Sequence, residues 1–168
     1  MADTEDIGTG DICAGGAFRI AADGTWFHDG AVISRPALVR LFATVLRRDG
    51  AGDYWLVTPA EKVAVAVEDA PFIAVETACD GAGRVAHRRF RTNVDAWVPL
   101  DRGHPLVVRA DRAGPRPYLA LGGGLEARLA RSVYYELAEE AEAGPDGALG
   151  IWSAGVFFAL APGMGMAP

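Results

Sequence analysis

Residues 18–30 have the sequence FRIAADGTWFHDG, in which two short apolar and aromatic runs are separated by one Asp-Gly pair and followed by another. An Asp-Gly pair between strand-like runs is the strongest short-range signal for a β-hairpin. The stretch therefore predicts that the folded part of the chain begins with a hairpin. Residues 1–16, which are rich in Gly and acidic residues and show no periodicity, are expected to form a flexible tail.

A helix is predicted directly after this hairpin. Pro36 suits the first turn of a helix, and Ser34 is a candidate capping residue. Apolar residues then recur at spacings of three and four, the period of one helix face: Leu38, Leu41, Phe42, Val45 and Leu46. Gly50 is expected to end the helix, with Arg47 and Arg48 in its last turn.

Strands are predicted over most of the remaining chain. Turn-forming residues separate runs that are rich in β-branched and aromatic side chains, at 54–57, 63–67, 71–76, 85–91, 96–98, 106–108, 118–121, 149–152 and 156–160. A second helix is predicted over residues 125–141, opened by the three glycines at 122–124. Because the strands do not alternate with helices, the pattern favours an α+β fold with mostly antiparallel strands over a wound parallel sheet.

The turn at residues 80–83 is the best candidate for a boundary between two units, because the sign of the local charge changes there. We therefore expect an α+β unit at 17–83, a second at 84–162 and a tail at 163–168. Each half contains several strands, one amphipathic helix and a Trp-bearing strand before a tight turn. This similarity between the halves indicates either an internal duplication or only the ordinary preferences of Trp for strands and Gly for turns.

Composition excludes several classes of protein. The chain has 168 residues, of which 51% are apolar and 23% charged, as in globular domains. No apolar run approaches the roughly 18 residues that a membrane span needs. Two cysteines, Cys13 and Cys79, make neither a disulfide framework nor a zinc-ligand pattern, so we expect free thiols in a reducing cytoplasm and no metal. A net charge of -6 argues against general binding to DNA or RNA.

The basic middle of the chain still predicts a local site for a small anion. Residues 84–131 carry ten basic and four acidic side chains. Residues 122–127, GGGLEA, formally match a dinucleotide-binding fingerprint but lack the strands and the acidic residue that this fold requires. A Gly-rich turn at a helix start can nevertheless hold an anion. Arg128, Arg131 and Tyr135 would share one face of that helix, where the alternative is a solvated arginine face.

Four further residues complete the predicted ligand-binding set. Arg91 and Asn93 lie in or just after the densest basic run, whose alternative interpretation is a charged edge strand. Lys62 and Ser153 are weaker candidates. The alternative interpretation of Lys62 is a residue in a solvated turn. No local motif for a catalytic nucleophile, a nucleotide-binding P-loop or a cofactor is present. Catalysis would have to be assembled from dispersed residues.

Several ordered segments of the chain resemble the bacterial domain-of-unknown-function family 1285. They are DGTWF (23–27), PALVRLF (36–42), YWLVTPAEK (54–62), EDAPF (68–72), FRTN (90–93), PY (117–118) and LGIWS (149–153). The resemblance covers roughly residues 18–160. It implies a two-part α+β protein with an internal duplication, whose second part is similar to a pleckstrin-homology fold. It also implies a nucleotide-like small ligand between the two parts and a role in signal transduction, with no catalytic residues to carry over.

The residues and the resemblance together predict a cytoplasmic, non-catalytic protein that binds an anionic small molecule between two α+β units. Two other classes stay open at this point. A protein-interaction module would present an exposed apolar patch without a concave cleft. An enzyme with a dispersed active site would present a deep pocket with converging titratable groups.

Overall fold

The computed structural model describes residues 17–161. The two predicted tails, 1–16 and 163–168, lie outside these residues. The described part consists mostly of strands, with two α-helices and one short 3-10 turn at Gly83–Val85. This agrees with the predicted predominance of strands.

The first sheet contains six strands arranged around a central parallel pair. They are β1 (Phe18–Ile20), β2 (Trp26–His28), β3 (Ala31–Val32), β4 (Leu46–Arg48), β5 (Tyr54–Val57) and β6 (Lys62–Val67). Their spatial order is β3-β2-β1-β6-β5-β4. Strands β1 and β6 pair in parallel, and every other neighbouring pair is antiparallel. The predicted opening hairpin is confirmed as β1 and β2, with Phe18 opposite His28.

The second sheet repeats this arrangement. Its strands are β7 (Phe72–Asp80), β8 (His87–Thr92), β9 (Trp97–Pro99), β10 (Leu106–Asp111), β11 (Gly114–Gly122) and β12 (Leu125–Leu129). In both sheets the first strand pairs in parallel with the sixth, and the other strands extend outward as two antiparallel meanders. Two sheets of the same topology in one chain support the prediction of two similar units.

A small third sheet and two helices complete the fold. Helix α1 (Pro36–Val45) connects β3 to β4, and helix α2 (Arg131–Glu139) follows β12. Strands β13 (Glu142–Ala143), β14 (Leu149–Ser153) and β15 (Val156–Ala159) form the third sheet, which contains the predicted last hairpin. We refer to β1–β6 with α1 as the first unit, and to β7–β15 with α2 as the second unit.

Helix α1 ends earlier than predicted. Its last residue is Val45, because Leu46 begins β4, where it pairs with Leu56 and is fully buried. Strand pairing gives the backbone its hydrogen bonds while it places Leu46 in the core, so the helix does not continue to Gly50. The residue at the cap is Arg35, without a side-chain capping bond, rather than Ser34. Phe42, on the predicted apolar face of the helix, packs with its ring 4.9 Å from that of Phe18.

The predicted helix over residues 125–141 is wrong in its first part. Residues 122–124 form the turn of a hairpin between β11 and β12, and all three glycines have positive φ. Strand β12 pairs in parallel with β7, with Ala127 opposite Phe72 and both side chains buried. Apolar residues four apart fit one face of a helix, but they also fit one face of a strand. The helix therefore begins only at Arg131.

The two sheets divide between β6 and β7. Residues 80–83, where the sequence predicts the boundary, lie at the end of β7 and in its connection to β8, and both strands belong to the second sheet. The short connector between the sheets contains Asp69, fully buried Ala70 and buried Pro71. Buried apolar side chains of both units belong to one continuous core, which includes Trp26 in the first unit and Phe90 in the second.

Candidate functional site

A concave cavity lies where the beginning of β11 and the end of β12 meet α2. Its volume is about 470 Å³, and we call it the arginine cavity. Its wall consists of three arginines, two tyrosines and small or apolar residues: Arg116, Arg128, Arg131, Tyr134, Tyr135, Ala113, Pro115, Pro117 and Leu129. All of these residues belong to the second unit.

Arg128 connects this cavity to the first unit. Its side chain leaves β12, and its Nη2 donates a hydrogen bond of 2.8 Å to the carbonyl oxygen of Ala22, in the turn between β1 and β2. Its Nε lies 3.5 Å from Oδ2 of Asp69 in the connector. Both of these atoms are buried and have no hydrogen-bond partner among the described residues. The guanidinium of Arg128 therefore contacts the first unit and the connector, and it also forms part of the cavity wall.

Tyr118 completes the polar group around Asp69. Its hydroxyl donates a hydrogen bond of 2.7 Å to Oδ1 of Asp69. Burial of the ring, and then the carboxylate of Asp69, raise the pKa of Tyr118 above its ordinary value. The phenol therefore remains a proton donor at neutral pH.

Of the other two arginines of the cavity, Arg116 is paired with a carboxylate and Arg131 is not. Nε of Arg116 lies 2.7 Å from Oδ2 of Asp111, at the adjoining strand end. Arg131, the first residue of α2, is exposed and forms no ion pair within residues 17–161. The first turn of α2 contains no acidic residue, and Ala130 at its cap offers no side-chain acceptor. The positive end of the helix dipole and an unneutralised guanidinium both favour negative charge here.

Two aromatic rings border the arginines. The rings of Tyr134 and Tyr135 lie 6.3 Å apart, and the hydroxyl of Tyr134 donates to the carbonyl oxygen of Leu160 at 2.9 Å. That hydrogen bond fixes the ring of Tyr134. The side chain of Tyr135 is 56% exposed to solvent. A planar group carried by an anion can pack against such rings while the guanidiniums contact its charge.

Of the seven predicted ligand-binding residues, the structure brings Arg128, Arg131 and Tyr135 together at this cavity. They do not share a helix face, because Arg128 lies on β12 and the other two on α2. The Gly-rich turn does not contribute an anion site at a helix start, since no helix begins there. Instead, Nη1 of Arg48 donates to the carbonyl oxygen of Gly124 at 3.1 Å.

Arg91 and Asn93 lie away from the arginine cavity. Arg91 on β8 contacts Glu76 and Asp95, at 2.7 and 2.9 Å, and the hydrogen bond to Glu76 raises its pKa. The side chain of Asn93 accepts a hydrogen bond from the backbone of Ile73 at 3.0 Å and donates to the carbonyl oxygen of Gly24 at 3.4 Å. These contacts connect strands and units.

Lys62 and Ser153 are also engaged elsewhere. Nζ of Lys62 lies 4.1 Å from the centre of the Trp55 ring. The hydroxyl of Ser153 is fully buried, accepts a hydrogen bond from the backbone N–H of Arg88 at 3.0 Å, and donates to the carbonyl oxygen of Leu100 at 2.7 Å. Ser153 therefore ties the third sheet to β8 and to the loop after β9.

Sequence reasoning did not select Arg116, Tyr134 or the two prolines beside Arg116. The segment PRP at 115–117 has neither the helix period nor the alternation of a strand, so it carries no periodic signal. The strand register brings it near: Tyr118 on β11 lies opposite Arg128 on β12. Within residues 17–161, no cluster of three His, Cys, Asp or Glu side chains is arranged to hold a metal ion. None of the helices there is long and apolar enough to cross a membrane.

Comparisons with known proteins identify two matching family models and two related structures. Residues 9–70 match the domain of unknown function DUF1285, N-terminal domain, and residues 71–160 match the protein of unknown function DUF1285, C-terminal domain. A DUF1285 family protein from Silicibacter pomeroyi DSS-3 is 43% identical, with a TM-score of 0.80 over 86% of this chain and 79% of that one. Another, from Shewanella baltica OS155, is 28% identical, with a TM-score of 0.59 over 74% and 92%. None of the curated proteins matches.

Proposed function

The chain belongs to the DUF1285 family, and we propose that it binds an anionic, nucleotide-like small molecule in the arginine cavity, without catalysing a reaction. The observation that carries the proposal is the convergence of Arg116, Arg128 and Arg131 on one concave surface beside two tyrosine rings. A cytoplasmic location and a role in bacterial signal transduction belong to the same proposal, as does the likeness of the second unit to a pleckstrin-homology fold.

The charge of the cavity supports an anionic ligand. Three guanidiniums line it, and only Arg116 has a close carboxylate partner at hydrogen-bonding distance. Nε of Arg128 lies 3.5 Å from Oδ2 of Asp69, and its Nη2 donates to the carbonyl oxygen of Ala22. The third nitrogen, Nη1, forms no hydrogen bond to the described residues. Arginine binds phosphate and carboxylate through paired N–H donors, so an uncommitted guanidinium edge suits such a group.

The shape of the cavity supports a ligand of nucleotide size. A volume of about 470 Å³ lies within the range of roughly 300–1,000 Å³ that is usual for small-molecule sites. The prolines, Leu129 and the tyrosine rings provide an apolar wall for a base or a comparable planar group. Arg128 also contacts Ala22 of the first unit, so the proposed ligand would lie close to the seam between the units.

A thermal-shift screen tests the proposal. The wild-type chain is heated with 1 mM of nucleoside monophosphates, nucleoside diphosphates or pyrophosphate, with unphosphorylated adenosine as the matched control. A ligand with a Kd near 100 μM adds about 1.4 kcal/mol of stability at that concentration, which corresponds to a rise in Tm of about 3 °C or more. We expect a rise with phosphorylated compounds and none with adenosine. No rise with any phosphate would refute the nucleotide-like ligand.

A protein-interaction module is the second candidate, and exposed apolar side chains around α1 favour it. Leu41 is 59% exposed, and Val32 on the edge strand β3 is 56% exposed. Leu38, in the first turn of the helix, is 37% exposed and lines a shallow cavity together with Val32. Single exposed apolar residues are ordinary on protein surfaces, but a contiguous patch marks interaction sites. This candidate predicts that Leu41→Ser changes partner binding and leaves the phosphate screen unchanged.

A further inference from the structure

A second cavity, distinct from the arginine cavity, contains an accessible cysteine. It has a volume of about 260 Å³ and lies where the β7–β8 connection, the end of α2 and β14 meet. We call it the thiol cavity, and its wall includes Cys79, Arg88, Glu140, Glu142 and Trp152. Cys79 is a free, exposed thiol near the end of β7. Its environment therefore decides which small molecules can reach its sulfur.

A buried guanidinium with unused hydrogen-bonding capacity lies beside this thiol. Cys79 and Arg88 are opposite one another in the antiparallel pairing of β7 and β8, so their side chains are on the same face of the sheet. Arg88 is only 5% exposed. Its terminal nitrogens bind Glu140 and the hydroxyl of Thr77, but its Nε has no hydrogen-bond partner among the described residues. A buried donor without an acceptor is costly, and an acceptor on a bound molecule would relieve that cost.

Charges of both signs lie in or next to the wall of the thiol cavity. Glu142 belongs to the wall, and Arg84 follows the wall residue Gly83 in the chain. The guanidinium of Arg84 lies 4.7 Å from the centre of the Trp152 ring. Neither Arg84 nor Glu142 forms an ion pair within residues 17–161, whereas Arg88 pairs with Glu140. One unneutralised cation and one unneutralised carboxylate suit a small molecule that has both an ammonium and a carboxylate group.

We propose that Cys79 forms a reversible mixed disulfide with a small disulfide of the amino-acid type. The thiolate sulfur of Cys79 attacks one sulfur of the small disulfide, a new S–S bond forms, and the original S–S bond breaks. The leaving thiolate takes up one proton, which balances the proton that Cys79 lost. The small disulfide is itself the oxidant, so no other co-reactant is needed. A cavity of about 260 Å³ accommodates a half-molecule the size of cysteine.

Reaction rates of three small disulfides test this proposal. Cys13, which lies outside the described residues, is replaced in a Cys13→Ala chain, so that Cys79 is the only thiol. That chain is treated with cystine, with dicationic cystamine or with dianionic 3,3′-dithiodipropionate. Adduct formation is followed by intact-mass spectrometry for the folded chain and for the chain unfolded in urea. For each disulfide, the rate of adduct formation on the folded chain is divided by the rate on the unfolded chain. This ratio corrects for the intrinsic reactivity of the reagent.

We expect the ratio for cystine to exceed the ratios for both other disulfides by about fivefold, the size of one screened charge contact. In the Glu142→Gln variant, which changes an exposed side chain, the advantage of cystine over dithiodipropionate should disappear. The Glu139→Gln variant is the matched control and should retain it. Any other ranking of the three ratios, or the absence of an adduct on the folded chain, would overturn the proposal.

Discussion

Arg128 and Asp69 face one another across the seam between the units, with Nε of the arginine 3.5 Å from Oδ2 of the aspartate. Both side chains are mostly buried, and Asp69 also accepts the hydroxyl of Tyr118. Arg128 in turn donates to the backbone of Ala22. The same two residues therefore stabilise the junction of the sheets and orient one guanidinium of the proposed ligand site.

Replacing the carboxylate of this pair should destabilise the folded chain. Asp69→Ala leaves the Tyr118 hydroxyl without an acceptor and the Arg128 guanidinium without its counter-charge, at a cost of about 2 kcal/mol. Urea unfolding measures the change, with the exposed turn substitution Asp146→Ala as control, for which about 0.5 kcal/mol or less is expected. Equal effects of the two substitutions would contradict a structural role for Asp69.

The fold was predictable from sequence wherever the signal is local. Asp-Gly turns predict the first hairpin, and the spacing from Pro36 onward predicts α1. The strand β12 was missed because Leu125 and Leu129 fit a helix and a strand equally well. What selects the strand is its parallel pairing with β7, which lies more than fifty residues earlier in the chain. Pairing between two segments so far apart in the sequence produces no periodic pattern of residues within either segment.

Packing across the seam predicts a large difference between two glycines. Gly24 and Gly30 both have positive φ, 86° and 77°, so alanine strains the backbone by about 1 kcal/mol at either position. A Cβ at Gly24 would lie 2.7 Å from Nδ2 of Asn93 and 2.8 Å from Cγ1 of Ile73, whereas at Gly30 it would meet nothing within 4 Å.

We therefore expect Gly24→Ala to lower the free energy of unfolding by about 3 kcal/mol, and Gly30→Ala by only about 1 kcal/mol. Chemical denaturation measures both changes, and Gly30→Ala serves as the control for backbone strain alone. Indistinguishable stabilities would mean that the two units are not packed together at Gly24.

Ser153 provides a second test of the packing. Its buried hydroxyl both donates and accepts, so Ser153→Ala leaves the carbonyl oxygen of Leu100 and the N–H of Arg88 without that partner. We expect a loss of about 2 kcal/mol in unfolding free energy. Ser132→Ala, at an exposed position of α2, is the matched control and should change stability by about 0.5 kcal/mol or less. A Ser153→Ala chain as stable as this control would rule out the structural interpretation of Ser153.

The acid stability of the first unit should depend on Glu68. The backbone N–H of Ala22 and the guanidinium of Arg19 both donate to this carboxylate, and they hold its pKa below the ordinary value of 4.5. A lowered carboxyl pKa stabilises the folded state above the unfolded pKa, and that stabilisation is lost as the pH falls through the folded pKa.

The difference in unfolding free energy between wild type and Glu68→Gln should therefore be constant above about pH 5 and shrink below it. Urea unfolding between pH 3 and pH 7 measures that difference. Glu139→Gln, at an exposed position of α2, is the control for the loss of one surface carboxylate. A gap between wild type and Glu68→Gln that stays constant down to pH 3 would contradict this assignment.

The candidate site was predictable only in part, for a reason that its residues make clear. Arg131 and Tyr135 are four apart on a real helix, so helical spacing groups them. Arg128 reaches the same cavity from the end of a strand, and Arg116 reaches it from the neighbouring strand. Register and chain direction place these two arginines, and neither property can be read from the spacing of charges along one segment.

Calorimetric titration of ADP into matched arginine variants tests the proposed site most directly. Arg131→Gln removes the unneutralised guanidinium of the arginine cavity, and Arg102→Gln removes the same charge at an exposed position outside its wall. We expect Arg131→Gln to raise the Kd about tenfold or more, the worth of one charge-assisted hydrogen bond, and Arg102→Gln to leave it within about twofold of wild type. Equal Kd values for the two variants, or no heat of binding with wild type, would contradict an anion site in the arginine cavity.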